Sequence, residues 1–330
     1  MQEDKQEHLI KNIEIENFKC FKDFKAEGFG RVNLIGGKNN VGKTAFMEAC
    51  YMSTSNEVVD LYRKLLAIQT HRNSISLITE ISNPNDDLAK RIQENIDFLF
   101  KTNNGQTSIS IVNDKYEIYL EGKSTAMKSF QELYNLVQMQ PFGNAQYGTS
   151  QNFISSYFIM DGTLALMIDS LKLKNKYEEL NKYIGDFFDV QKIDLINGVI
   201  YLKQNNQFRP IYEYGHGMKT ILNIILPLLF SESNKEVFID EIENGIHYSL
   251  LDKLWEIIFK ISKEKNVQLF ATTHSKECIE SYARVAKKLE EKETTFIKMT
   301  RLDDGSIMAG VRDYDMLQYT MSNGHEVRGV

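Results

Sequence analysis

Cysteine is scarce in this chain. Cys20, Cys50 and Cys278 are the three present, far apart and without metal-ligand spacing. They read as reduced thiols of a cytoplasmic protein. Charge of one sign is missing too. Against 39 Lys and Arg stand 45 Asp and Glu, a formal net charge of −6. No global basic field therefore advertises nucleic-acid binding, although a local basic strip stays open. The polar stretch Met1 to Glu7 gives no signal peptide. No apolar run reaches the length of a bilayer; the best, Ile221 to Phe230, is short and contains Pro227. Neither an internal repeat nor a low-complexity tail is visible. These absences point to a soluble protein with no membrane partner. What remains is ample core: 330 residues with 42% hydrophobic content allow one large domain or two coupled lobes.

Among what is present, Gly37-Lys38-Asn39-Asn40-Val41-Gly42-Lys43-Thr44 carries the most information. It follows an apolar strand, Val32 to Ile35, and leads into a helical stretch, Ala45 to Tyr51. That strand–loop–helix order suits a phosphate-binding loop. Gly37, Asn39, Asn40 and Gly42 would present backbone N–H groups and the helix N-terminus to the phosphates of ATP. Lys43 would reach the β- and γ-phosphates, and the Thr44 hydroxyl would be a ligand of Mg²⁺.

Two downstream segments read as buried strands with chemistry at their ends. Val237-Phe238-Ile239 leads into Asp240 and Glu241. Asp240, at the strand's exit, can hold Mg²⁺, while Glu241 can polarise the attacking water. Read alone, the pair could also be an acidic helix start, the lesser reading. Val267 to Thr273 then ends at His274, where an imidazole could contact the γ-phosphate. A lone histidine there would usually be structural; the order of loop, acidic pair and histidine argues for function. Between the strands, Tyr248 to Lys265 carries Leu250, Leu251, Leu254, Trp255, Ile258 and Ile261 at helical spacing. A helix there supplies the crossover that a parallel sheet needs.

Elsewhere, strands are expected at Ile10 to Glu16 and Phe21 to Phe24, and a polar, helical region at about 56–100, with Ser74 to Glu80 ambiguous. Thr107 to Val112 and Lys115 to Leu120 read as a hairpin, followed by a helix at about 126–139 and a loop at 141–152. Leu171 to Phe188 reads as a charged helical segment, and Val190 to Ile196 with Val199 to Lys203 as a hairpin turning at Asn197-Gly198. Lys287 to Lys292 reads as a solvated helix face, and Asp313-Tyr314-Asp315 as a solvated turn rather than a metal-binding pair.

The segments Ile13 to Phe21, Val32 to Thr44, Ile239 to His247 and Ala271 to Ser275 together resemble the ABC-class ATPases of the RecF and overcoming-lysogenisation-defect group. The resemblance implies an α/β fold: a phosphate-loop head with a mixed central sheet, an antiparallel β subdomain and a helical lobe. One head would span 1–330, with inserts at about 56–152 and 160–215. It also implies that ATP is hydrolysed with Mg²⁺ and that a second copy completes the site, in a homodimer or larger homo-oligomer. The capping signature would be Glu213 to Lys219, with Gly215 and Gly217 approaching the nucleotide and a helix following from Thr220. Gly215 stands where the family has a serine. Gln151 would sense magnesium, and Asn244 and His247 would lie where the two copies meet.

The nuclease domain of the overcoming-lysogenisation-defect proteins has no room after Ser275, so a nuclease or toxin effector would be a separate chain. The leading expectation is a regulatory or assembly ATPase of bacterial anti-phage defence. A RecF-like repair ATPase, with DNA as its partner, is the alternative. The nucleotide-binding subunit of a membrane transporter is disfavoured by the missing serine and by the run Glu243-Asn244-Gly245-Ile246-His247.

Overall fold

The computed structural model describes residues 10–55, 64, 68, 107–112, 117–122, 153–154, 161–188, 190–230 and 236–323. The helix expected at 126–139, the loop at 141–152 with Gln151, and the ambiguous stretch at 74–80 lie outside the described residues.

Strands β1 (Asn12–Phe18) and β2 (Phe21–Glu27) form a hairpin with Phe18 opposite Phe21. In β1, Ile13 and Ile15 are buried while Glu14 and Glu16 face out, the alternation of a strand with one dry face. Strand β3 (Val32–Gly36) is buried at every position and runs through the phosphate loop into α1 (Lys43–Ser53). Strands β4 (Thr107–Val112) and β5 (Glu117–Gly122) extend the first hairpin into an antiparallel sheet ordered β2-β1-β4-β5. Val112 pairs with Glu117, and Lys115, where the second arm was expected to begin, lies outside the described residues.

A short strand, β6 (Phe153–Ile154), precedes helices α2 (Asp161–Leu173) and α3 (Tyr177–Phe188). The helical segment expected from Leu171 to Phe188 is thus interrupted between the two helices. The break has a local cause. Asn175 adopts φ 56, and N–H groups of Asn175 and Lys176 close back onto Lys172 and Leu171 carbonyls at 3.1 and 2.9 Å. That is a Schellman stop, built here on asparagine. Strands β7 (Lys192–Ile196) and β8 (Val199–Gln204) turn at Asn197-Gly198 as expected, both at positive φ. A third strand, β9 (Gln207–Pro210), follows another turn in which Asn205 and Asn206 are left-handed. No hairpin signal as strong as Asn-Gly marked it.

Helix α4 (His216–Phe230) leads to β10 (Glu236–Ile239), and α5 (Leu251–Lys265) to β11 (Gln268–Thr273). Helix α6 (Lys276–Leu289), strands β12 (Thr294–Arg301) and β13 (Ile307–Arg312) and helix α7 (Tyr314–Ser322) complete the described chain. Asp313 caps α7 by accepting the Met316 N–H at 2.9 Å, so it marks a helix start rather than a solvated turn. The stretch Lys287 to Lys292 is not wholly a solvated face: α6 ends inside it, and Glu291 is buried.

The central sheet is ordered β13-β12-β3-β11-β10-β6, parallel except for β13 against β12. Strand alternation divides the core in two. Val237, Leu269, Ala271 and Phe296 face the layer of α2 to α6, while Phe238, Phe270 and Ile297 face α1 and the antiparallel sheet. Phe238 and Phe270 stack at 5.5 Å across β10 and β11. Each such buried side chain stabilises the layer by roughly 1.5–3 kcal/mol. Gln268 ties the layers: its Nε2 donates to the Ile10 and Gly30 carbonyls at 2.8 and 2.7 Å, and its Oε1 accepts the Ile10 N–H at 2.8 Å. Among the described residues, no helix is long and apolar enough to cross a membrane.

Candidate active site

Parallel pairing of β3 with β11, and of β11 with β10, brings the C-terminal ends of the three strands together, where ligands gather in open α/β sheets. The phosphate loop leaves β3 there. Gly42 closes it at φ 89, and a side chain at that position would place Cβ 2.7 Å from Cys20 Sγ. Glycine is required on both counts. Gly37 lies against the Met299 carbonyl, and Asn39 and Asn40 are exposed at the loop's crest. Asn40 is left-handed at φ 63, and its carbonyl accepts from Arg301 Nη2 at 3.0 Å. Arg301, at the end of β12, thus braces the loop from outside.

Lys43 opens α1 and folds across the loop, its Nζ donating to the Gly37 and Lys38 carbonyls at 2.9 Å each. Partial burial lowers its pKa, against the opposing charges of Asp240, Glu241 and Glu243. One residue on, Thr44 Oγ1 donates to Asp240 Oδ2 at 3.0 Å. A hydroxyl from α1 and a carboxylate from the exit of β10 thereby converge on one point. Both are hard oxygen donors, the chemistry that suits Mg²⁺.

Thr272 of β11, which no sequence motif singled out, organises the acidic pair. Its hydroxyl donates to Asp240 Oδ1 and accepts the Glu241 N–H, the latter at 2.8 Å. Glu241 itself is left-handed at φ 52. That conformation costs a β-carbon residue of order 1–3 kcal/mol and turns up where surroundings enforce it. His274 Nδ1 lies 3.9 Å from Glu241 Oε1, with 52% and 41% of the two side chains exposed. The expected pair is thus present on the open side of the loop.

Glu243 was also unmarked by the sequence beyond its place in a longer run. Its Oε1 accepts the N–H groups of His274 and Ser275 at 3.0 and 3.1 Å. Burial first, and then the Glu243 charge, push the thiol of the buried Cys278 up.

The signature segment differs from expectation at one point. Gly215 sits at φ 75, ψ −178, which turns the chain, so α4 starts at His216 rather than Thr220. Gly217 therefore belongs to the helix's first turn, not to a loop before it. A β-carbon there would meet the Gly245 carbonyl at 3.3 Å. The contact sets Gly217 beside the 243–247 turn, where Asn244 and His247 were expected to serve. His247 caps a 3-10 turn, accepting the Ser249 N–H at 3.4 Å.

Comparisons with known proteins fit this geometry. Residues 120–280 match the family described as "AAA domain, putative AbiEii toxin, Type IV TA system". A Helicobacter pylori protein named "ATP/GTP phosphatase" is 25% identical, over 97% of this chain and all of that protein. Among solved structures, the SMC head domain from Thermotoga maritima superposes with a TM-score of 0.51 at 12% identity, covering 92% of this chain and 98% of that one. The fold is that of an ABC-type ATPase head. On that fold, with its phosphate loop and acidic pair in place, the chain is an ATPase.

Proposed function

We infer that this ATPase couples ATP hydrolysis to the control of a separate effector, a nuclease or toxin, in a bacterial anti-phage defence system of the cytoplasm. The observation that carries the chemistry is the chain of contacts Thr44–Asp240–Thr272–Glu241, with His274 beside it. Lys43 binds the β- and γ-phosphates, and the loop of Gly37, Asn39, Asn40 and Gly42 cradles them. Thr44 and Asp240 are the residues that would hold Mg²⁺, which when bound neutralises charge on the phosphates. Glu241 orients water and takes its proton, and His274 donates to the γ-phosphate. Gly215 and Gly217 contact the nucleotide of a second copy.

The defence setting draws support from the toxin–antitoxin description of the matched family. The test begins with Glu241→Gln. Hydrolysis should fall by roughly 10²–10⁴-fold while ATP still binds; a fully active variant removes Glu241 from the role. Co-expression with neighbouring genes then decides the setting. A partner captured by Glu241→Gln with ATP and lost with ADP supports effector control. Salt-sensitive stimulation by DNA, with no captured protein, replaces it with a repair role.

A further inference from the structure

Glu241 and Glu243 leave the same turn but face different environments. Glu241 is 41% exposed, whereas Glu243 is 11% exposed. Glu243 Oε1 accepts two backbone N–H groups at the start of α6, and the same oxygen lies 3.3 Å from the His274 ring Nδ1. Its second oxygen, Oε2, is buried with no hydrogen-bond partner among the described residues. Burying a carboxylate is expensive unless hydrogen bonds and a counter-charge compensate it. Two backbone donors do not demand that charge, because a neutral amide oxygen would accept both. One of them is shared besides, the Ser275 N–H also reaching Thr273 Oγ1 at 3.0 Å. The ring is the nearest side chain that uses a full negative charge, which Lys43 also feels from farther off.

We propose that Glu243 is the positioning residue of His274: its carboxylate accepts a hydrogen bond from Nδ1–H and so fixes the ring's rotamer and keeps a proton on Nδ1. When the ring carries its second proton, Nε2–H is the donor that meets the phosphate. The distances also set a preference. Nδ1 is 3.3 Å from Glu243 and 3.9 Å from Glu241, so Glu243 draws the ring away from the carboxylate that must stay free to receive a proton from water. A ring without this partner would turn to Glu241 and occupy the base. The role rests on the assignment of Glu241 and His274 made above.

Glu243→Gln tests it, since the amide oxygen keeps the backbone contacts and removes only the charge. Turnover should fall about tenfold, as for loss of a partner that orients a histidine, with the ATP dissociation constant within about twofold. A double-mutant cycle identifies the route. In a His274→Ala background, the Glu243→Gln effect should shrink below about twofold. An undiminished tenfold loss there would overturn the proposal, because Glu243 would then act through something else. The ring can also be read without turnover, by long-range ¹H–¹⁵N spectra of the wild-type protein, the His274 signal being the one lost in His274→Asn. A proton on Nδ1 agrees with the proposal, and the neutral Nε2–H tautomer overturns it. That spectrum decides the role of Glu243 even if the chain fails to hydrolyse ATP, a result that would instead sink the function proposed above.

Discussion

Thr272 holds Asp240 with the hydrogen of its hydroxyl and Glu241 with the oxygen, so one side chain sets the spacing of both carboxylates. Thr272→Val is close to isosteric and removes only the hydroxyl. It leaves a backbone N–H and a carboxylate oxygen short of partners, which should destabilise the protein by about 1–3 kcal/mol. Turnover should fall well beyond what that stability loss explains, with ATP affinity much less affected, and Thr272→Ser should restore most of it. Thermal melts and steady-state kinetics of the two variants give the comparison; equal turnover in Val and Ser variants would make Thr272 an ordinary strand residue. Lys43, Thr44, Asp240, Glu241 and His274 were legible because fixed spacing from a strand end carries their chemistry. Thr272 was not, because a β-branched residue inside a buried strand is what packing alone would choose. Glu243 and Arg301 stayed hidden for a related reason: each acts on a segment at least 31 residues away in sequence, a pairing that only the folded sheet creates.

Elements were legible where local chemistry agreed with the fold. The strand–loop–helix of β3 and α1, the crossover helix α5 and the Asn197-Gly198 hairpin all lie where the sequence placed them. Misplacements fell at caps: the stop at Asn175, and the start of α4, which follows the turn at Gly215 rather than the apolar spacing from Thr220 onward. The early start matters, because it puts Gly217 on a rigid first turn against the Gly245 carbonyl. In an open helix, Gly→Ala would stabilise by roughly 0.5–1 kcal/mol. Here the new β-carbon at 3.3 Å from a carbonyl oxygen offsets that gain. Gly217→Ala should therefore leave the melting temperature little changed. Gly217→Leu should displace α4 relative to the 243–247 turn and block close backbone approach, cutting hydrolysis while ATP binding stays near wild type. Nucleotide titration and phosphate release on the same preparations would show it, and undiminished hydrolysis by the leucine variant would remove Gly217 from the site.

For the whole molecule, the composite-site reading needs a surface that meets a second copy. Gly217 lies against the 243–247 turn, and two large side chains stand in solvent on the segments bordering them. Tyr212 is 68% exposed just before Gly215, and Tyr248 is 69% exposed just after His247, whose ring it touches at 4.4 Å. Aromatic side chains are enriched at the centres of protein interfaces. On the composite-site reading, this surface closes over the phosphate loop of the partner, and ATP stabilises a head-to-head dimer. Turnover per chain should then rise with protein concentration and level off once the dimer is saturated. The Glu241→Gln variant with ATP should sediment as a dimer or larger assembly and return toward monomer with ADP. Replacing Tyr212 and Tyr248 together by serine should shift the half-maximal concentration upward without altering ATP binding to the monomer, because neither residue belongs to its own phosphate loop. A strictly monomeric protein whose turnover is independent of concentration would require a site complete in one chain, and Gly215 and Gly217 would then have no part in it.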